Sequence, residues 1–256
     1  MLDNIIKKLK EDKPVFGVVS TMLDYTVSEM LACAGFDFIW IDMEHSALCV
    51  SDVQMHMIAA SGRGAASFVR VPWNDPVMVK PILEMGPDAV IFPLIKNAED
   101  ARKAVSSCEY PPKGIRGFGP RRAIRYGMDD SSDYIRDAGK KTWKILQVEL
   151  AECVENLDEI ASVEGVDAFM IGPYDLSGSL GKLGEIGSAE VQEAFDKIGE
   201  SAAKNGKLLC AYTGDDPAEL LKWKKRGVRL FTLCIDSVYL MNAARSSMDE
   251  AIRTLK

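Results

Sequence analysis

The sequence predicts an α/β protein of (β/α)8 TIM-barrel architecture, a single domain over residues 1–256. Eight short apolar runs alternate with amphipathic segments along the chain. Most runs are apolar on successive residues rather than alternate ones, the pattern of strands covered on both faces. The length of 256 residues suits one complete barrel of this kind. A doubly wound open sheet is the competing arrangement. Its dinucleotide-binding form is disfavoured because no G-x-G-x-x-G turn follows the first run.

The elements come in order. The opening "MLDNIIKKLKED" mixes apolar and charged residues at helical spacing and lacks the apolar stretch of a signal peptide. Strands are expected at Val15–Leu23, Phe36–Met43, Ala66–Pro72, Ala89–Ile95, Lys144–Leu150, Ala168–Leu176, Lys207–Thr213 and Leu230–Asp236. Helices fill the gaps. "DPVMVKPILEMG" and "NAEDARKAVSSC" open on Asp75 and Asn97, residues that cap helix N-termini. "SAEVQEAFDKIGESAAKNG" opens on Ser188 and stops at a glycine. "DDPAELLKWKKRG" carries Pro217 in its first turn. Several helix-to-strand joints share a cadence of glycine, a short spacer and a strand: "CAGFDF", "EMGPDAV", "VEGVDAF" and "KRGVRLF". One connection stands apart. Cys108–Thr142 contains "YPPKGIRGFGPRRAIRYG", long and rich in Gly, Pro and Arg, and is expected to be a functional loop.

Composition narrows the class. A net charge of −7 disfavours nucleic-acid and anionic-membrane partners, which attract basic patches. No run approaches the roughly 18 apolar residues of a membrane-spanning helix. The six cysteines are scattered without C-x-x-C spacing and read as reduced thiols of a cytoplasmic protein.

In a parallel barrel the chemistry lies at the C-terminal ends of the strands. The second run ends in Asp42, Glu44 and His45, the third carries Arg70, the fifth Glu149, and the sixth ends at Asp175. Each has a structural reading. His45 can cap a helix, Arg70 can pair with Glu149 or Glu44, Asp175 can cap the following helix, and Asp236 is left as a cap. His56 falls in a helical stretch and reads as a surface or packing residue. Glu149 in an apolar strand is harder to dismiss, because a buried carboxylate needs a partner. Glu149 and Asp175 come from adjacent strands, so both can meet one hard, oxygen-preferring ion such as Mg²⁺ or Mn²⁺. A Lewis-acidic ion, a cation and an imidazole fit proton abstraction beside a carbonyl, giving an enolate. A Schiff-base mechanism needs a lysine at a strand's C-terminal end. Lys96 is the candidate for that alternative, since Lys144 begins its strand.

"GFDFIWIDMEHSA", "VRVPWNDP", "YPPKGIRGFG", "LQVEL" and "VEGVDAFMIGPYDLSGSLG" resemble, in order, the signatures of the HpcH/HpaI aldolases. These are class II, metal-dependent pyruvate aldolases within the phosphoenolpyruvate/pyruvate-binding barrel superfamily. The resemblance implies reversible aldol cleavage of a 4-hydroxy-2-oxo acid to pyruvate and an aldehyde. It implies His45 as general base, Arg70 as stabiliser of the enolate oxygen, and Glu149 and Asp175 as ligands of Mg²⁺, Mn²⁺ or Co²⁺. Gln147 would touch substrate, and the turn Gly172, Pro173, Tyr174, Asp175 would receive the pyruvate carboxylate. It also implies a homo-oligomer, a hexamer built as a trimer of dimers that exchange the last helix, here Ser237–Leu255.

The sequence departs from the family pattern at three places. Glu84 stands where an Asp usually sharpens the basicity of the histidine. Tyr174 stands where a small residue is common. The loop "GFGPRRAIRYG" brings Arg121, Arg122 and Arg125, which suggest an acidic acceptor or a doubly anionic keto acid, against a solvated or subunit-contacting loop. Alternative functions are a lyase or decarboxylase acting through the same enolate on oxaloacetate or a citramalyl-type substrate, and a catalytically silent barrel that binds keto acids.

Overall fold

The computed structural model describes all 256 residues. Eight parallel strands close into a barrel in sequence order: β1 (Val15–Ser20), β2 (Phe38–Asp42), β3 (Ala66–Arg70), β4 (Ala89–Phe92), β5 (Trp143–Val148), β6 (Ala168–Ile171), β7 (Leu208–Tyr212) and β8 (Leu230–Ile235). The barrel shuts where β8 pairs with β1 through Val15 and Leu230. The helices are α1 (Leu2–Lys10), α2 (Thr26–Cys33), α3 (Val50–Gly62), α4 (Pro76–Met85), α5 (Ala98–Cys108), α6 (Ser131–Lys141), α7 (Ala151–Glu155), α8 (Leu157–Ala161), α9 (Pro173–Ser179), α10 (Ala189–Lys204), α11 (Pro217–Lys225) and α12 (Asp236–Thr254). No helix is long and apolar enough to cross a membrane.

The strands are shorter than the apolar runs, and the trimmed residues fall mostly at the C-terminal ends. The sixth run shows why. Gly172 ends the sheet, and Pro173 starts α9 in a helical position that its fixed φ favours. Asp75, Asn97 and Asp216 cap α4, α5 and α11 by accepting backbone N–H groups of the first turn. Ser188 precedes α10 but makes no side-chain cap bond.

The core has two shells, one inside the barrel and one between strands and helices. Inside, Phe38 and Phe68 stack with ring centroids 4.5 Å apart. Gly17 is needed there, because a Cβ on it would lie 2.1 Å from the Phe38 ring.

The shared cadence has a structural use at the N-terminal end of the barrel. Asp37, Asp88 and Asp167 each sit just before a strand and accept a neighbouring strand's N–H, from Phe16 at 3.0 Å, Ser67 at 2.9 Å and Lys144 at 2.8 Å. Arg229 holds the corresponding place before β8 and donates to the Leu9 carbonyl at 3.2 Å.

The long excursion also belongs to this end, because it runs from the finish of α5 to the start of β5. Its arginines are engaged locally. Arg122 donates to Met85 O at 2.8 Å and Ser61 Oγ at 3.2 Å, at the finish of α4 and α3. Arg125 pairs with Asp129, and Arg121 reaches Pro120 O at 3.0 Å. Arg116 is buried, donates to Leu83 O and Tyr134 Oη, and packs over the Tyr110 ring. The expected acceptor-reading role of Arg121, Arg122 and Arg125 is therefore corrected within one barrel. A connection that follows a helix and precedes a strand lies opposite the C-terminal face. Sequence alone showed the loop's length and charge, and the topology decides its side.

Candidate active site

At the C-terminal end of the barrel a cavity of about 420 Å³ opens, lined by His45, Arg70, Gln147, Gly172, Pro173, Tyr174 and Asp175 among others. Strand register explains the convergence. Asp42 and Arg70 are partners across β2 and β3, and Val148 pairs with Ile171, just before Glu149 and Gly172.

Arg70 is the hub. Asp42 takes its Nε at 2.8 Å and its Nη2 at 2.5 Å, a bidentate pair almost wholly removed from solvent. The indole of Trp40 lies under the guanidinium, 4.9 Å from Cζ. Nη1 remains for the cavity, 3.0 Å from Glu44 Oε2 and 3.4 Å from Gln147 Oε1. The two partners that the sequence left open are thus decided: Glu44 pairs with Arg70, Glu149 does not, and Asp42 is the main partner.

Glu149 is 1% exposed and has no basic partner. Its Oε1 accepts the Leu94 N–H at 2.6 Å, and its Oε2 accepts from the Gln147 amide. Leu94 takes φ +56°, a left-handed conformation disfavoured for leucine, and that turn aims its N–H at Glu149. Gly172 passes so close that a Cβ would sit 3.1 Å from Gln147 Nε2 and 3.3 Å from Glu149 Oε2. Burial, with the charges of Glu44 and Asp175 adding to it, pushes Glu149 up to about 7. Burial likewise raises Glu44 to about 7, with Arg70 opposing and Asp42 and Asp175 adding to the rise. Three acids thus share one pocket with one arginine that Asp42 already holds. His45 stands at the rim, 61% exposed, with Nε2 3.9 Å from Glu44 Oε2.

The other candidates lie elsewhere. Glu84 is near the finish of α4, at the opposite end of the barrel, half-buried and 3.6 Å from Arg116, and it does not meet His45 within the chain. Burial raises it, against the pull of Arg116. Lys96 is exposed, and no lysine lines the cavity. His56 is fully buried rather than superficial, with Nδ1 2.8 Å from Ser28 Oγ.

Sequence reasoning passed over several lining residues. Asp42 shows in the sequence only as one charge of a cluster, although an acid opposite an arginine on paired strands signals an ion pair. Asp236 is the first residue of α12, whose N-cap is Ile235, so it is not the cap expected; its carboxylate instead accepts Thr21 N at 2.8 Å, Thr21 Oγ1 at 2.7 Å and Met22 N at 3.0 Å, which fixes the cavity wall at Thr21. Tyr212 and Trp40 also line the cavity, and as aromatic residues within strands they carried no signal.

Comparison with known proteins identifies the family of this barrel. A family model described as HpcH/HpaI aldolase/citrate lyase matches residues 21–243. A hydroxypyruvate/pyruvate aldolase of Paraburkholderia phytofirmans is 35% identical over 250 residues, covering 95% of each chain. A 4-hydroxy-2-oxo-heptane-1,7-dioate aldolase of Escherichia coli is 36% identical over 239 residues, covering 93% of this chain and 90% of that one. The crystal structure of an HpcH/HpaI aldolase/citrate lyase family protein from Burkholderia cenocepacia superposes with a TM-score of 0.90 at 32% identity, covering 97% of this chain and 98% of the other.

Proposed function

The chain belongs to the HpcH/HpaI aldolase/citrate lyase family, and from that premise we propose that it is a class II aldolase cleaving 4-hydroxy-2-oxo acids reversibly to pyruvate and an aldehyde through a pyruvate enolate. One observation carries the reading: Glu149 is buried without a cation, beside Asp175 and Glu44, in a pocket whose only arginine is already paired. No three carboxylate, imidazole or thiol side chains converge on one point, so the fit is that of two carboxylates, Glu149 and Asp175, to a hard divalent cation whose remaining positions substrate and water would fill, and it disfavours a soft metal. Glu149 and Asp175 are the residues that would hold it, with Mg²⁺ or Mn²⁺ the preferred ions and Co²⁺ a substitute. When bound, the ion supplies Lewis acidity at the keto oxygen.

The chain's own residues do the rest. The N–H groups of the Gly172–Asp175 turn receive the pyruvate carboxylate, with Pro173 setting the turn and contributing no donor. Gln147 bridges Arg70 and Glu149 and orients the keto acid between them. His45 takes a methyl proton, as an imidazole does readily near neutral pH. Arg70 Nη1 faces the developing enolate oxygen, because Asp42 has fixed the other side of the guanidinium. The enolate carbon attacks the aldehyde, and the new alkoxide takes a proton back. Cleavage runs the same steps in reverse.

The reading includes a homo-oligomer, with a hexamer of exchanged dimers as its finer form. Support comes from α12, whose residues after Asp236 are exposed except for Tyr239 and include Leu240, Met241, Met248 and Ile252. A second subunit is also the only route by which Glu84 can act on His45, since the two lie at opposite ends of one barrel. Six free cysteines fit a cytoplasmic setting. The direct test is cleavage of a 4-hydroxy-2-oxo acid monitored through released pyruvate. Cleavage lost with EDTA and restored by Mn²⁺ is expected; cleavage indifferent to EDTA would overturn the reading.

A further inference from the structure

The cavity has two chemically different sides. The side built from β2, β3, β5 and β6 carries the acids, Arg70 and Gln147. The opposite arc, at the ends of β1, β8 and β7, carries Thr21, Ile235 and Tyr212, with Tyr174 of α9 closing the ring. This second arc contains no charged side chain. The keto acid has no call on its side chains, because pyruvate is assigned to groups on the first side and to backbone N–H groups of the Gly172–Asp175 turn, which leaves the Tyr174 ring uncommitted. The arc is therefore where the aldehyde's substituent must rest.

Its polar groups are specific. Asp236 receives the Thr21 hydroxyl proton at 2.7 Å, so the lone pairs of Thr21 Oγ1 are left to accept from a ligand. Tyr212 offers a phenolic O–H, and burial, with neighbouring tyrosines adding, pushes it up to about 12, so it stays a neutral donor. Deeper in the barrel, two nearly or fully buried donors, Trp40 Nε1 and Thr232 Oγ1, have no partner. Thr232 is the register partner of Tyr212, and Trp40 that of Val19, which lines the same cavity. Both atoms are closed off from the cavity, so the polar contacts a substituent can make on this arc are those of Thr21 and Tyr212.

Charge completes the description. Asp42 and Asp175 line the cavity, with Glu44 and Glu149 close enough to feel their charge, against a single arginine, Arg70. A carboxylate on the acceptor would enter without a counter-ion. Arg121, Arg122 and Arg125 lie at the other end of the barrel.

We propose that the acceptor is an uncharged, hydroxyl-bearing aldehyde, its hydroxyl donating to Thr21 Oγ1 and accepting from Tyr212, with Tyr174 and Tyr212 as specificity-determining residues. This rests on the aldolase reading above. A site built to hydrogen-bond a hydroxyl discriminates strongly against the analogue lacking it.

The experiment uses pyruvate as nucleophile and three acceptors of near-equal size: glycolaldehyde, acetaldehyde and glyoxylate. The readouts are ratios of kcat/KM, so a general loss of activity cancels, and thermal melts confirm folding. Tyr212→Phe is expected to lower the glycolaldehyde-to-acetaldehyde ratio about tenfold or more. Tyr174→Lys is expected to raise the glyoxylate-to-glycolaldehyde ratio about tenfold. An unchanged glycolaldehyde-to-acetaldehyde ratio in Tyr212→Phe would overturn the proposal. So would a wild-type preference for glyoxylate that Arg121→Ala abolishes, since a second subunit would then be delivering the missing cation. Exchange of pyruvate methyl protons by the wild-type enzyme separates the two failures. If exchange occurs and the ratios do not move, the acceptor assignment falls alone; if exchange is absent, the aldolase reading falls and takes the assignment with it.

Discussion

The two ends of the barrel use carboxylates in opposite ways. At the N-terminal end, Asp37, Asp88 and Asp167 each accept backbone N–H groups and hold neighbouring strands in register. Lys8 and Lys144 also pair with Asp37 and Asp167. At the C-terminal end, Glu44 and Glu149 face other acids and are pushed up to about 7 by burial. The first set is satisfied by the chain itself. The second is only partly met: Glu44 shares Arg70 with Asp42, and Glu149 has two hydrogen-bond donors but no basic partner, so burial still dominates. An acid that its own protein leaves partly uncompensated is poised for something from outside, and here that is a divalent cation and a keto acid.

The comparison breaks most visibly at Glu149. Glu149→Gln is expected to reduce cleavage by about a thousandfold or more, because several kcal/mol of Lewis-acid assistance depend on the site. Calorimetry should show the divalent affinity lost while circular dichroism stays native; full activity would remove Glu149 from the metal site. Next comes His45→Ala, expected to slow methyl-proton exchange by about 10²–10⁴-fold while pyruvate binding changes little. Unchanged exchange would exclude His45 as the base.

The opposite end should respond the other way. Asp88→Ala leaves the Ser67 N–H without its side-chain acceptor and is expected to cost about 1–3 kcal/mol of stability, read by denaturant melts. Its kcat should stay within about twofold, since the change lies across the barrel from the cavity. A large loss of kcat without loss of stability would blur the distinction between the ends.

The pH dependence sharpens it. Glu44 and Glu149 have ordinary values of 4.5 and native values of about 7. Between those values the native state holds protons that the unfolded chain has released, so the metal-free protein should lose stability as pH rises from about 4.5 to 7. Saturating Mn²⁺ should oppose that loss, because its ligands bind as carboxylates. A metal-free melting temperature that climbs steadily over this window would contradict the assignment. The smallest effect is expected from Glu84→Ala, a shifted pH–rate profile that appears only in the oligomer. An identical profile would leave Glu84 with its local pairing to Arg116.

Much of this was legible in the sequence because barrel strands are buried on both faces and announce themselves as continuous apolar runs. The site was legible for a related reason: His45, Arg70, Glu149 and Asp175 stand at the ends of such runs, where burial makes charge conspicuous. The parts that were not legible depend on direction and side. The length and charge of the Arg121–Arg125 loop were plain, but its place at the N-terminal end follows from topology. Asp88 and Asp175 look alike in sequence, one before a strand and one after, and only their position in the barrel separates a strand clamp from a pocket acid. Trp40 and Tyr212 read as ordinary strand aromatics, since nothing local distinguishes the barrel interior from the floor of a cavity. Leu94 gave no hint of its left-handed turn, which tertiary contacts impose.

The most direct test of the central claim is deuterium exchange into the methyl group of pyruvate, followed by NMR with Mn²⁺ or Mg²⁺ and then with EDTA. Enolate formation at this site requires exchange that depends on the ion and on His45. Exchange that survives EDTA, or no exchange with any divalent ion, would contradict it.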